Sequence, residues 1–377
     1  MIFKPTIETY LSMRSLTLLV IVKSGVIMTN QMGRILTPDS LPKCLPQATL
    51  MVKGHEAILS VPSNDYTFSG KSAEMIQGIF SFLNGTNTVN IISQKTCLAS
   101  EDIISLLDYL CGESVLIDIN NENKGSLTGY QLVELVKQEI VFWRQHINNQ
   151  IFWEKVHNGT CSKRQILGWG IEFYHYVDAA NEYMAAGVAY CRESIDVRQK
   201  IAAHYAEESD HGEIFLQGLM KDGLSATLVK KSLPLPSTRA LINYLNEVAM
   251  ESSLVYTAVF SLMQSDGKSF SKIDLTEYYS QLIELYPFAQ GMFGSFLKHA
   301  LIDARLDHQI SIFENLYAND EIISHREVKR TFVTVRQLVN CFILYYEYLF
   351  EYYGKEDSQL PRRAPQVIDF LLAENKG

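Results

Sequence analysis

Hydrophobic and polar positions follow two different rhythms along this chain, and the change falls near residue 130. Before it, short apolar runs alternate with turn residues. Residues 16–22 and 26–28, around Lys23-Ser24-Gly25, read as a strand pair. Residues 48–52 and 57–61, around Lys53-Gly54-His55, read as a second. Ser69 then reads as an N-cap, because Ile76, Ile79, Phe80 and Leu83 follow on one helical face before Asn84-Gly85 ends the run. Ser100 opens another helix, with Glu101 and Asp102 favourably placed in its first turn. Its apolar face runs through Ile103, Ile104, Leu107, Leu110 and Cys111 to Gly112, and residues 115–117 read as a closing strand. Strands, three short helices and a final strand predict a winged-helix-like α+β module.

Residues 118–125 are polar and rich in helix breakers, as a linker would be. Beyond them helical spacing dominates. The pattern predicts helices over 129–148, 162–180, 181–192, 195–220, 237–264, 274–314 with a break near Pro287, 319–353 and 365–374. The expected organisation is therefore multidomain, with residues 1–125 forming the α+β module and residues 126–377 an all-α bundle.

Composition narrows the class. Of 377 residues, 47% are hydrophobic and 20% charged, which fits a folded protein rather than a disordered or fibrous one. The longest apolar run, residues 16–22, is far short of the ~20 residues that span a bilayer. It also starts late for a secretory signal, so a cytoplasmic location is expected. The 33 Lys and Arg against 42 Asp and Glu give −9, and no long basic run exists, which argues against nucleic acid as the main partner. Six cysteines lie far apart without a CxxC pair and read as free thiols rather than a zinc site. There is no dinucleotide fingerprint, phosphate loop or GxSxG elbow, so chemistry built on NAD, ATP or an acyl-serine is not expected.

Two helical segments concentrate metal-binding side chains. One is His204-Tyr205-Ala206-Glu207-Glu208-Ser209-Asp210-His211; the other runs from His299 through Asp303 to Asp307-His308. Positions four apart lie within ~40° of each other around a helix. His299, Asp303 and Asp307 therefore share a stripe, as do His204, Glu208 and His211. Imidazoles and carboxylates on facing bundle helices suit non-haem iron or manganese. The plainer alternative is a pair of solvated faces with ordinary i,i+4 pairing.

From "FWEKVHNGTCSKRQILGWGIEFYHYV" through "AAHYAEESDHGEIFLQGLMKDGLS" to "FGSFLKHALIDARLDHQ", the chain resembles the haem-oxygenase-like superfamily. That group includes TenA thiaminases, the oxidase of pyrroloquinoline quinone synthesis, and diiron oxidases. In the diiron branch the ligands are an E-x2-H pair (or E-x6-H), a Glu on another helix, and an H-x3-D-x2-H motif. Carried over, the resemblance implies iron, one ion or two, held by Glu208, His211, His299 and Asp303, with His204 and Asp307 as further ligands. Two positions depart from it: Leu306 stands where the last His belongs, and Gln264 where the middle Glu belongs, leaving Glu251 as a remote substitute. Tyr174, His175 and Tyr205 are expected to line the pocket. A cofactor-free oxidase, a thiaminase-like hydrolase using Cys161 or Cys191, and an inactive binding subunit stand as alternatives.

The first domain resembles the precursor-peptide recognition elements of cyclodehydratase partner proteins, on "ATLMVKGHEAILSVPSNDYTFSGKSAEMIQGIFSFLNGTNTVNIISQ" and "ASEDIISLLDYLCGESVLI". This implies a leader peptide added as an extra strand beside the helix over residues 100–111, with one of the strands within 16–61 as the receiving edge. Together the two resemblances imply an enzyme of ribosomal peptide natural-product biosynthesis that oxidises a tethered peptide with O2. Relatives are commonly oligomeric, and the aromatic run over residues 341–353 is either a homodimer contact or a core helix.

Overall fold

A computed structural model describes residues 36–62, 64–264, 272–305 and 311–363. The strand pair expected over residues 16–28 and the helix expected over 365–374 lie outside the described residues. The chain divides into two compact units. The first holds the described residues up to Asn149 together with Glu321–Phe332; the second holds Gln150–Asp320 and the described residues from Val333 onward.

In the first unit, strands β1 (Pro42–Cys44), β2 (Thr49–Lys53), β3 (Glu56–Val61) and β4 (Asn64–Ser69) come first. Strands β2, β3 and β4 form an antiparallel sheet in that order, with Thr49 opposite Ser60 and Glu56 opposite Ser69. The β2–β3 turn works because Gly54 takes φ +60°, a region that costs glycine little. Along β3 and β4, Ala57, Leu59, Val61, Tyr66 and Phe68 alternate inward and are buried. Strand β4 opens on Asn64 and Asp65, residue types more common in turns than in strands.

Helices α1 (Lys71–Ile79), α2 (Val89–Thr96) and α3 (Ser100–Gly112) follow, then β5 (Leu116–Asp118), which pairs with β1. Ser69 ends β4 instead of capping α1; the cap is Gly70 at φ +56°, a sharp turn that no side chain supports. Ile103, Ile104, Leu107 and Leu110 of α3 have no exposed surface, each burial stabilising by about 1.5–3 kcal/mol.

The stretch expected as a linker is ordered. Asp118 caps a short 3-10 turn over Ile119–Asn123, and buried Asn121 donates to Glu139 Oε1 at 3.2 Å. Glu139 lies on α4 (Gly129–Asn148), which clusters with this first unit although the sequence placed it in the helical domain. Strands β6 (Leu127–Thr128) and β7 (Ile322–Ile323) pair here as well.

The second unit is helical: α5 (Ile151–His157), α6 (Lys163–Asp178), α7 (Ala180–Ala189), α8 (Ile195–Glu208), α9 (His211–Lys221), α10 (Ala226–Lys230), α11 (Pro236–Glu251), α12 (Ser253–Met263), α13 (Lys272–Leu285), α14 (Gln290–Arg305), α15 (Ile312–Tyr317) and, from Val333, most of α16 (His325–Gly354). The helix expected over 195–220 breaks at Ser209-Asp210, and Asn181 Nδ2 donates to the Ser209 carbonyl there at 3.1 Å. The helix expected over 237–264 breaks at Ser252, whose hydroxyl caps the next segment through Val255 N. The break near Pro287 is present.

Two devices hold this unit together around the site. Fully buried Glu172 on α6 accepts from Leu235 N (2.9 Å) and Thr238 Oγ1 (2.6 Å) on Oε2, and from Tyr353 OH (2.8 Å) on Oε1, tying α6 to α11 and α16. Helices α9 and α14 meet backbone to backbone: a Cβ on Gly218 would stand 2.7 Å from the Gly291 carbonyl and 2.6 Å from Ser295 Oγ. Only glycine allows that approach. On α16, Tyr345, Leu349 and Tyr353 face the core while Leu344 and Tyr348 are exposed. Among the described residues, no helix is long and apolar enough to cross a membrane.

Candidate metal centre

The close approach of α9 and α14 brings His211 and His299 together. His299 Nε2 lies 2.9 Å from His211 Nδ1, and His211 Nδ1 lies 2.6 Å from Glu208 Oε2. One atom from each of Glu208, His211 and His299 falls within 4.8 Å of the others. Glu208 ends α8 and His211 begins α9, so this pair straddles the Ser209-Asp210 break rather than sharing one straight helix. Across the gap, Asp303 Oδ2 stands 3.2 Å from His299 Nδ1, one turn along α14, and orients that ring.

The protonation arithmetic favours a cation at this point. When His299 Nδ1 donates to Asp303, its Nε2 presents a lone pair to His211 Nδ1. The single proton on His211 Nδ1 then faces two acceptors, Glu208 Oε2 and His299 Nε2. Burial pushes the Glu208 carboxyl up, but the hydrogen bond and charge of His211, aided by His204 and His299, outweigh it and hold it below its ordinary value. Burial pushes His211 down, but Glu208 and then Asp303 outweigh it and raise that imidazole. Buried Asp303 Oδ1 has no hydrogen-bond partner. Two imidazoles and a carboxylate converging on a space now served by one proton, beside an unsatisfied carboxylate oxygen, fit a divalent metal of the 2-His-1-carboxylate class.

His204 is turned to another task. Its Nε2 is 3.2 Å from Gln264 Nε2 and 3.9 Å from Glu208 Oε1, and its ring stands edge-on to Phe260. Gln264 Oε1 accepts from Ile312 N at 3.3 Å, which assigns the amide nitrogen to the His204 side. The amide thus donates to the lone pair on His204 Nε2. Glu251 is exposed at the last position of α11 and does not join the cluster: the Ser252 break interrupts the helix that was expected to carry it toward Gln264. Asp307, Leu306 and His308 lie outside the described residues.

Beside the cluster is a cavity of about 110 Å³, lined at one end by Glu208, His299, Asp303 and Gln264. Phe173, Tyr176 and Val177 of α6, Ala180, Tyr183 and Met184 of α7, and Phe260 and Met263 of α12 complete it. Tyr176 OH donates to Met263 Sδ. Burial raises the Tyr183 phenol far above its ordinary value, and the Tyr256 and Glu208 charges add to the shift.

Tyr174, His175 and Tyr205 are not among these lining residues. Tyr174 is buried beside Asp178, its phenol pushed up to about 12 by burial and the nearby carboxylates. His175 Nε2 meets Ser232 Oγ at 2.7 Å, and burial, then Arg239, push it down to about 4. Tyr205 donates to Asn181 Oδ1 at 3.3 Å. The opposite side of α6 lines the cavity. The signal was available as the i, i+3, i+4, i+7 stripe Phe173, Tyr176, Val177, Ala180. All six cysteines are free; none lines the cavity, and burial pushes Cys161 up to about 11.

Residues 137–284 match the sequence profile of the TENA/THI-4/PQQC family. Among solved structures, the chain is similar to a domain of unknown function with a heme oxygenase-like fold from Shewanella denitrificans, at 19% identity and TM-score 0.46, covering 62% of this chain and 98% of that one. It is also similar to a TenA homologue from Pyrococcus furiosus, at 18% identity and TM-score 0.34, covering 58% of this chain and 98% of that one. No curated protein matches the chain.

Proposed function

We propose that the helical unit is a haem-oxygenase-like oxidase with one non-haem iron held by Glu208, His211 and His299. The observation that carries this reading is the convergence of those three donors beside a largely apolar cavity. Asp303 acts through His299, fixing its tautomer and ring orientation by the 3.2 Å contact, and its second oxygen makes no hydrogen bond. Gln264 engages His204 at Nε2. Iron in such a three-donor site leaves positions open and supplies the capacity to bind and reduce O2. The chain's own residues do the rest: aromatic and thioether walls make the approach to the metal largely apolar, and Tyr176, whose hydroxyl donates to Met263 Sδ, is part of them.

The first unit then acts as a recognition module. A leader peptide adds to an edge of the β2–β3–β4 sheet near α3, where main-chain hydrogen bonds supply affinity and side-chain pockets register. Tethering raises the local concentration of the core peptide, so the small cavity need not bind it tightly. A thiaminase-like hydrolase would need an activated thiolate, and burial disfavours that at Cys161.

The test is O2 consumption by the iron-loaded full chain, with a leader-bearing precursor peptide and with its core segment alone. The reading predicts iron-dependent turnover that falls sharply when the leader is removed and is lost in His299→Ala. Equal turnover of both peptides removes the recognition role; turnover without iron, unchanged in His299→Ala, removes the metal role.

A further inference from the structure

The chain has three tryptophans, and their indole N–H groups are treated differently. Trp143, in the first unit, donates Nε1–H to Glu139 Oε2 at 3.2 Å. Trp153 on α5 and Trp169 on α6 bury theirs with no hydrogen-bond partner among the described residues. A buried donor left unpaired costs stability, and two of them on touching rings ask for a reason, of which redox work is one. An indole is among the side chains that most readily give up one electron. With no acceptor at Nε1, the oxidised ring keeps its proton, so its charge passes on to a neighbour instead of being trapped as a neutral radical.

These same two rings end a continuous line of aromatic contacts from the metal cluster. Between ring centroids, His299 lies 5.2 Å from Phe215, and Phe215 lies 5.1 Å from Phe296. Phe296 stacks on Trp169 at 5.1 Å, and Trp169 meets Trp153 edge-on at 5.3 Å. Each step is a close packing contact between rings. Trp169 is 3% exposed, whereas Trp153 is half-buried, so the line ends at a ring that solution reaches.

We propose that Trp169 and Trp153 form the exit route for an oxidising equivalent left at the metal when no substrate is in place, with a soluble one-electron reductant of the ascorbate or thiol class as final donor. Its origin at the metal rests on the oxidase reading; its path rests on the ring contacts alone. Hydrogen peroxide, the two-electron product of O2, takes two electrons and two protons to become two waters. Ferrous iron supplies one electron and Trp169 the other, and no bond to the indole forms or breaks. Trp153 refills Trp169, and the reductant refills Trp153, losing one electron itself. The two phenyl rings between are the packed medium through which the electron tunnels and are not oxidised. The route spares His211 and His299 from oxidation.

The experiment has two arms. In the first, flash-generated tris(bipyridine)ruthenium(III) takes one electron from the metal-free full chain, and oxidised indoles are mapped by peptide mass spectrometry. The proposal predicts oxidised Trp169, falling at least tenfold in Trp153→Phe and unchanged in Trp143→Phe. In the second, the ferrous full chain is mixed with hydrogen peroxide and freeze-quenched for electron paramagnetic resonance. A tryptophan radical, identified by its change when the indoles are deuterated, is expected in the unmodified chain and in Trp143→Phe. It falls at least tenfold in Trp169→Phe, where oxidation of His211 and His299 rises. In Trp153→Phe the radical forms, but ascorbate quenches it at least tenfold more slowly. Oxidised Trp169 that survives Trp153→Phe, an equal effect of Trp143→Phe, or a radical on Tyr279, which also stacks on Phe296 at 6.4 Å, overturns the proposal. Iron content, measured separately, keeps the two readings apart: the first arm as predicted with no iron bound leaves the route standing and removes the metal centre, and bound iron with no tryptophan radical does the opposite.

Discussion

Helix α6 carries a carboxylate network on one face and a cavity wall on the other, and the two faces show what separates structural from chemical polarity. On the first face Glu172 is buried, yet every donor it meets is an N–H or O–H with nothing further to do: Leu235, Thr238 and Tyr353 fill its oxygens. Nearby on that face His175 is held on Ser232. On the second face Phe173, Tyr176 and Val177 open onto a space where Glu208 Oε2 and His299 Nε2 share the one proton of His211 Nδ1. A buried carboxylate whose oxygens each have their own donor is satisfied. Two acceptors competing for one proton leave an acceptor in surplus.

Substitutions can break this contrast in order of expected effect. His211→Ala removes a ligand outright and leaves Glu208 without its 2.6 Å partner. Metal affinity should fall by more than the about 100-fold that loss of a merely supporting residue costs, while thermal unfolding of the metal-free chain stays cooperative. Glu172→Ala should do the reverse. Stranding three buried donors should cost about 3 kcal/mol or more in denaturant unfolding, with metal uptake by the folded fraction unchanged. Were Glu172→Ala to abolish metal uptake, the two faces would not be independent.

Asp303→Asn is next. It keeps the volume but weakens the hold on His299 Nδ1, so metal affinity measured by competition with a chelator should drop about 10- to 100-fold. The smallest effect is a pH dependence at His175. Its folded pKa of about 4 lies below the ordinary value of 6.5, so the unfolded chain binds more protons between those limits. Stability from this residue is complete above pH 6.5 and is lost as pH falls toward 4. His175→Gln should flatten that part of the melting-temperature profile, and an unchanged slope would contradict the assignment.

Local features of the site were legible in the sequence and non-local ones were not. Glu208 with His211, and His299 with Asp303, declare themselves because side chains three or four residues apart are local neighbours. What joins the pairs is the contact of Gly218 with Gly291, two residues with no side chain to signal it. The choice of face on α6 went to Tyr174 and His175 because polar residues draw attention, whereas the cavity is made by the apolar stripe. The helix breaks at Ser209 and Ser252 lack proline and glycine; they come from side-chain caps and from Asn181, which tertiary structure supplies. In the first unit, the β2–β3 hairpin and α3 followed their patterns, while β4 was hidden by Asn64 and Asp65. The order of residues 118–125 depends on Asn121, polar by type yet buried on Glu139, a pairing that spacing does not signal.

One ion held by Glu208, His211 and His299, whose donor atoms lie within 4.8 Å of one another, is the proposal on which the oxidase reading depends. The most direct test is the metal content of the full chain after anaerobic iron loading and removal of excess, beside His211→Ala and Gln264→Ala. The account predicts about one iron per chain, none in His211→Ala, and retention in Gln264→Ala. Two irons per chain, or none in the unmodified protein, would contradict it.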